Sequence, residues 1–442
     1  MDIKQGLVRA RSHLIFLVGL LSAFALVIWL EGVSMQSREN DLFTQLVAPS
    51  EDRVTPKVKG LTPEEMQWAK TAWKYFENNT IPETGLVNSV DQYTASTLWD
   101  TSSYLMALIA AQRLQLISQA EFDARVSKLL GSLERLPLFD GKLPNKSYNT
   151  QSLAMVDYNN QATDKGIGWS AIDIGRVLVP FNILVWQHPQ HTFGVEKVLA
   201  RWDMKSVLKE GEMQGATVNA KGKVEYPQEG RLGYEEYAAK SFSLMGLDVS
   251  VALDYLKNLK LVDIYGIPVA TDDRDPLIYQ AHNYVVSEPY ILDGVEFGWD
   301  RVSREFAWRV YRVQEERYKE TGVLTAVSED NIDQAPYFVY NTVYTGGKTW
   351  NAITDDGKDA AKFKTLSTKA VFGWHMLYDT GYTGKLMDKV ATAFDPARGW
   401  YSGIYEVGGK PNKAITANTN GIILEALAFR QGGPLVQIGR KD

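Results

Sequence analysis

The sequence predicts an all-α fold, an (α/α)6 toroid of helical hairpins behind an N-terminal transmembrane anchor. Three observations carry that expectation. From Leu61 onward, segments with helical period follow one another with few β-branched alternations. Six of them are apolar nearly all round, as a helix covered on both sides must be. A more charged helix accompanies each, and long loops rich in Tyr, Asn, Gly and Pro separate the hairpins.

The inner helices are expected to start near Thr97, Gly168, Gly233, Ser287, Ser367 and Ala417. The outer ones are expected over 63–78, 119–133, 193–208, 248–259, 300–320 and 383–393. Thr62-Pro63-Glu64-Glu65 opens the first with a capping hydroxyl, a proline at the first helical position and acids in the first turn. Six of each kind, at unequal intervals, suit a closed ring better than an open solenoid, which needs polar caps and a nearly fixed period. The inserts at 135–166, 211–232, 260–286 and 322–365 would all lie on one face, and loops of that length are usually functional. Within the second, Ala220-Lys221-Gly222-Lys223 reads as the turn of a short hairpin.

Ahead of this domain, Leu14 to Leu30 is an uncharged apolar run preceded by Lys4, Arg9 and Arg11. It predicts a single-pass, uncleaved anchor in the inner membrane, with residues 1–34 forming the cytoplasmic tip and span, 35–60 a tether, and 61–442 the toroid in the periplasm.

Composition removes several classes of function. With 442 residues, 45% of them hydrophobic, the chain has ample material for a core. Lys plus Arg number 47 against 53 Asp plus Glu, a net charge of −6 that lacks the basic excess phosphate backbones demand, so nucleic acid is not an expected partner. There is no cysteine, which excludes disulfides, thiol nucleophiles and thiolate metal sites, and five histidines supply a metal centre poorly. No cofactor and no metal are expected. His188-Pro189-Gln190-His191 and Asp272-Asp273-Arg274-Asp275 read as turns.

What remains conspicuous is 12 Trp and 22 Tyr, the flat amphipathic rings that line sugar clefts. Four of the inner starts carry carboxylates: Asp100, Asp173, Glu235 with Glu236, and Glu288. An acid near a helix N-terminus is worth about 0.3–1 kcal/mol through the dipole alone, so no one of them is diagnostic. Their company is more informative. Trp99, Trp169, Tyr234, Tyr237 and Tyr290 flank them, as in a cleft that binds polysaccharide or oligosaccharide.

Glycosidic cleavage needs one protonated and one ionised carboxyl. Glu236, two residues from Tyr234 and four from Lys240, is the expected acid; Asp173, three residues from Arg176, is expected to be salt-bridged and ionised, as a base, nucleophile or binding group. Asp100 and Glu288 stand in reserve, and Arg176 and Glu235 join the rings as binding residues. His282-Asn283-Tyr284 would suit a lyase, although the arginines a lyase wants are not clustered there.

The motifs Thr97-Leu98-Trp99-Asp100-Thr101, Gly168-Trp169-Ser170-Ala171-Ile172-Asp173-Ile174-Gly175-Arg176, Gly233-Tyr234-Glu235-Glu236-Tyr237, Ser287-Glu288-Pro289-Tyr290 and Thr419-Asn420-Gly421 resemble an uncharacterised bacterial envelope family over roughly residues 62–435. Its members are often encoded with exopolysaccharide systems. More distantly, the chain resembles the (α/α)6 domains of endo-β-1,2-glucanases and the glycoamylase-like domain of cyclic β-1,2-glucan synthases. That resemblance implies cleft positions for Asp173, in Ser170-Ala171-Ile172-Asp173, and for Glu236, in Tyr234-Glu235-Glu236-Tyr237. Two functions follow as expectations: a glycoside hydrolase or transglycosylase acting on a glucan or exopolysaccharide, or a non-catalytic glycan-binding or assembly factor beside a membrane glycosyltransferase.

Overall fold

Hydroxyl caps set the frame in this computed structural model, which describes residues 17–29, 50, 52–279 and 281–438. The chain divides into two compact units, Met1–Glu51 and Asp52–Asp442. In the first, a helix covers 17–29 and its large apolar side chains are exposed. Among the described residues no helix is long and apolar enough to cross a membrane. At 1.5 Å per residue the helix over 17–29 is roughly 20 Å long, short of the ~30 Å of a hydrocarbon core. The inner-membrane anchor and periplasmic placement expected from Leu14–Leu30 are therefore corrected. Residues 14–16 and 30 of that run, the N-terminal tip and the tether as far as 49 lie outside the described residues.

In the second unit α1 (Pro63–Asn79) begins with a reciprocal cap, Glu65 N–H on Thr62 Oγ1 at 3.1 Å and Thr62 N–H on Glu65 Oε2 at 2.7 Å. Then come α2 (Leu98–Arg113), α3 (Gln119–Arg135), α4 (Ala171–Gln187), α5 (Thr192–Leu199), α6 (Tyr234–Leu244), α7 (Glu288–Phe297), α8 (Arg301–Thr321), α9 (Thr368–Tyr378), α10 (Gly381–Val390) and α11 (Ala417–Gly432). The inner six are α2, α4, α6, α7, α9 and α11. Each packs on the next, and α11 returns to α2, so they close a ring. Their burial follows from their sequence: α2 is buried from Thr101 through Ala111 and α11 from Thr419 through Arg430, with no polar face to turn outward. The amphipathic α1, α3, α5, α8 and α10 sit outside.

Two differences from expectation have local causes. The outer helix expected over 248–259 is a run of turns, because the Asp248 and Asp254 carboxylates accept the N–H groups of Ser250 and Leu256 at 3.1 and 3.0 Å and so compete with helical bonding. An antiparallel hairpin follows, β1 (Leu259–Ile264) with β2 (Ile267–Asp272). Likewise, the helix expected over 193–208 ends at Leu199. Nor is the fold purely α: the inserts fold into short antiparallel pairs, including the expected one of Thr217–Val218 with Val224–Glu225.

Two glycines permit this closeness. Gly168 (φ +119°) enters α4 where a Cβ would lie 1.9 Å from Ala216 O, and at Gly175 a Cβ would lie 2.6 Å from that of Ala238, which lets α4 and α6 meet.

Candidate active site

First-turn side chains of α2, α9 and α11 meet Glu288 at the start of α7, and Trp99 of α2 meets Tyr234 at the start of α6, so the N-termini share one mouth to which the caps deliver acids. Thr97 Oγ1 accepts the Asp100 N–H at 3.1 Å and donates to Asp100 Oδ2 at 2.7 Å. Ser170 Oγ accepts the Asp173 N–H at 3.1 Å. Asp100 and Asp173 remain partly exposed.

A further acid reaches the same place. Glu229, from the 211–232 insert, accepts the Ala171 N–H on Oε2 at 2.6 Å, while its Oε1 lies 2.7 Å from Ser170 Oγ. Asp173 Oδ1 lies 3.1 Å from that same hydroxyl oxygen. Ser170 has one hydroxyl proton for two carboxyl oxygens. The network closes if one carboxyl keeps its own proton and donates to the serine oxygen. Electrostatics favour this: burial, then the neighbouring Glu229, pushes Asp173 up to about 7. Burial also raises Glu229, against the Ser170 hydroxyl, Lys146 and the Ala171 N–H. Asp100 is raised by burial too.

Glu229 escapes a reading of helix starts because it sits in a loop, five residues before α6. Its one local signal is the Gly215 and Gly230 that bracket the insert: a Cβ on Gly215 would lie 2.4 Å from Glu229 Oε2. Trp169 bolts that insert down, giving its indole N–H to Gln214 O at 3.0 Å and accepting Ala216 N–H on its carbonyl at 2.9 Å.

The other expected residues are placed differently. Glu236 is buried, and its Oε2 takes the Gly233 N–H at 2.7 Å; burial and then Glu235 raise it to about 8, so it stays neutral at pH 7. Lys240 does not face it but bridges Asp293 and Asp300 at 2.7 and 2.6 Å. Glu235 pairs with Arg274 at 2.5 Å and accepts from Gln228 at 3.1 Å. Glu288 is 1% exposed and ties four inner helices together: it accepts Trp99 Nε1 at 3.1 Å, Asn418 Nδ2 at 3.0 Å and Lys369 Nζ at 2.5 Å.

Arg176 does not reach Asp173. It is fully buried and bridges Glu296 and Glu425, the latter at 2.8 Å, bonds Tyr237 Oη at 2.6 Å and lies 5.4 Å from the centre of the Trp99 ring. The salt-bridged, ionised Asp173 expected from the spacing is thus corrected: two distant glutamates outcompete a neighbour three residues away. Of the expected rings, Trp99 and Tyr234 are partly exposed and meet edge to face at 5.5 Å, whereas Trp169, Tyr237 and Tyr290 are buried. Of the expected rings, only those two reach the surface of the mouth. Among the described residues no group of three His, Cys, Asp or Glu side chains is arranged to hold a metal ion.

Asp173, Glu236 and Asp330, the last pushed to about 7 by burial, all bind protons more tightly in the native protein than in the unfolded chain. The stability they confer is full below about pH 4 and is lost as the pH rises through about 7 to 8. Calorimetry is expected to show the melting temperature falling between about pH 5 and pH 8.5, and Asp173→Asn is expected to flatten part of that slope.

A ring of six inner helices with carboxyls at its mouth is a fold that glycoside hydrolases use. The chain belongs to the family described as protein of unknown function (DUF3131), whose model matches residues 67–433. No curated protein matches it. Solved structures share the fold. The endo-β-1,2-glucanase from Chitinophaga pinensis, in complex with sophorotriose and glucose, is 12% identical with a TM-score of 0.58, over 85% of this chain and 94% of that one. The endo-β-1,2-glucanase from Talaromyces funiculosus, solved as a glutamate-to-glutamine mutant with β-1,2-glucan, is 13% identical with a TM-score of 0.58, over 85% of each chain. The glucoamylase from Saccharomycopsis fibuligera is 11% identical with a TM-score of 0.53, over 86% and 97%. These likenesses establish the (α/α)6 toroid and bear out the distant resemblance to endo-β-1,2-glucanases.

Proposed function

We propose that this chain is a glycoside hydrolase or transglycosylase acting on a glucan, with Asp173 and Glu229 as its proton-exchanging carboxyls. One observation carries the reading: both side chains converge on the single hydroxyl of Ser170 at the partly exposed mouth, where one proton on the pair completes the hydrogen bonding. One carboxyl then protonates the departing glycosidic oxygen and the other attacks the sugar or activates water. Their oxygens lie within two hydrogen-bond lengths of each other, which suits the closely spaced, retaining arrangement of about 5–5.5 Å between carboxyl groups better than the wider inverting one. Asp100 lies next to them, and Glu236, neutral behind the mouth, is the second candidate donor. Trp99 and Tyr234 contribute a ring surface. The fold shared with endo-β-1,2-glucanases and a glucoamylase supports the assignment.

The purified chain is expected to release reducing ends from β-1,2-glucan or another neutral glucan, with retention visible in the first product anomer by NMR. Glycan binding without any release points instead to the non-catalytic binding factor, a reading favoured by the ion pairs that neutralise Glu235 and Glu288.

A further inference from the structure

A second concavity lies on the outer side of α2, away from the acid pair. Between the end of α1, the loop that follows it, Tyr104 of α2 and one face of α3 there is a cavity of about 330 Å³, a volume in the range that small ligands fill. Ile81, Pro82 and Ala124 give it apolar sides, while Arg125 and Lys128, one turn apart on α3, line it with cations.

Its walls are fixed. The loop after α1 closes on itself through the Ile81 N–H on Leu86 O at 2.8 Å and the Gly85 N–H on Ile81 O at 2.7 Å. Thr84 rivets that loop on two sides, its carbonyl accepting Ser132 Oγ of α3 at 2.6 Å and its Oγ1 donating to Thr150 O, also at 2.6 Å. A concavity framed in this way is in place before a ligand arrives, which lowers the cost of binding.

The two cations are held differently. Arg125 donates Nε to Glu121 at 2.9 Å and Nη1 to the buried Tyr104 Oη at 3.2 Å, and its guanidinium lies 5.3 Å from the centre of the Trp73 ring. Its Nη2 has no partner among the described residues. Lys128 gives Nζ to Pro82 O at 2.6 Å; a carbonyl leaves the ammonium charge uncompensated, and no carboxylate among the described residues pairs with it. Glu77, the one acid on the cavity, is engaged by Lys74 at 2.6 Å. With Arg125 set against Glu121 and Lys74 against Glu77, the surplus charge is that of Lys128.

The geometry points to a binding site for a small organic carboxylate, its carboxyl between Arg125 and Lys128 and its apolar body against Ile81, Pro82 and Ala124. A single surplus cation matches a monoanion, and the unused groups are donors, as a carboxylate requires. A neutral sugar fits less well, because its own hydroxyl protons need acceptors. Inorganic phosphate would satisfy the cations and leave the apolar sides wet. The site is separate from the mouth and does not rest on the hydrolase reading.

The test titrates the full chain with benzoate by calorimetry, using benzyl alcohol and inorganic phosphate as probes that each keep half of the recognition. Benzoate is expected to bind at a single site, about tenfold or more tightly than either. Lys128→Gln is expected to weaken it about tenfold, the worth of one hydrogen bond to a charged group, and Ala124→Phe, which fills the cavity, to abolish it. Both positions are exposed, so the melting temperature should hold; Arg125 is left intact because it also braces Tyr104 and Trp73. Asp173→Asn is expected to bind benzoate as the wild type does. No saturable binding of benzoate, equal binding of benzyl alcohol or phosphate, or unchanged affinity in either cavity variant would overturn the site. Loss of binding in Asp173→Asn would move the ligand to the mouth and overturn it as well.

Discussion

Asp173→Asn and Glu229→Gln are each expected to cost about 10²–10⁴-fold in kcat on a neutral glucan, the span typical of removing a general acid or base. Neither change should unfold the protein. Both carboxyls are raised by burial, so an amide of nearly the same shape relieves a desolvated acid and still meets Ser170. The pH dependence separates the two roles. In the wild type the alkaline limb of the rate is expected near pH 7, where the Asp173 proton leaves. Removing the Glu229 charge removes a cause that raises Asp173, so whatever activity Glu229→Gln keeps should lose its alkaline limb at lower pH. Steady-state rates against pH for the two variants provide the check. Full activity in Glu229→Gln, with complete loss in Glu236→Gln, would transfer the acid role to Glu236.

The second large effect concerns stability. Arg176→Met is expected to cost about 3–5 kcal/mol, because it strands Glu296 and Glu425, both fully buried, without their cation. Urea denaturation would measure it. The loss should shrink as the pH falls and the stranded glutamates take up protons, the native state then binding more protons than the unfolded one. Converting Glu296 and Glu425 to glutamine together with Arg176→Met should recover most of the stability, since the penalty lies in unpaired charge and not in lost attraction. A cost below about 1 kcal/mol would show that the cluster is not the desolvated unit described above.

The inner ring was legible because its signals are local. A helix covered on both sides must be apolar nearly all round, and Thr97, Ser170 and Thr416 cap their helices in the first turn, as such residues do in isolated peptides. The outer layer was less so: the turns over 248–259 depend on two aspartates choosing backbone N–H groups over solvent. At the mouth, Asp100 and Asp173 could be read from their positions one turn into helices. Glu229 could not, since its partnership with Ser170 spans 59 residues and joins a loop to a helix start. Trp169 and Tyr290 sit beside acids in sequence just as Trp99 does, and only the covering loops decide which ring is buried. Arg176 teaches the same lesson for charge, its true partners being 120 and 249 residues away.

That same arginine bears on the path a polymer would take under the proposed function. Arg176 from α4, Tyr237 from α6, Glu296 from α7 and Glu425 from α11 meet with no exposed surface, and Trp99 from α2 lies over them. The hole that six helices would otherwise leave along their common axis is stoppered by charge. Under the proposed function, that closure would keep a glycan strand from threading along the axis of the ring, so the strand would lie across the mouth and its fragments would depart by the side on which it arrived. A long strand draped in that way would offer its interior as readily as its tip.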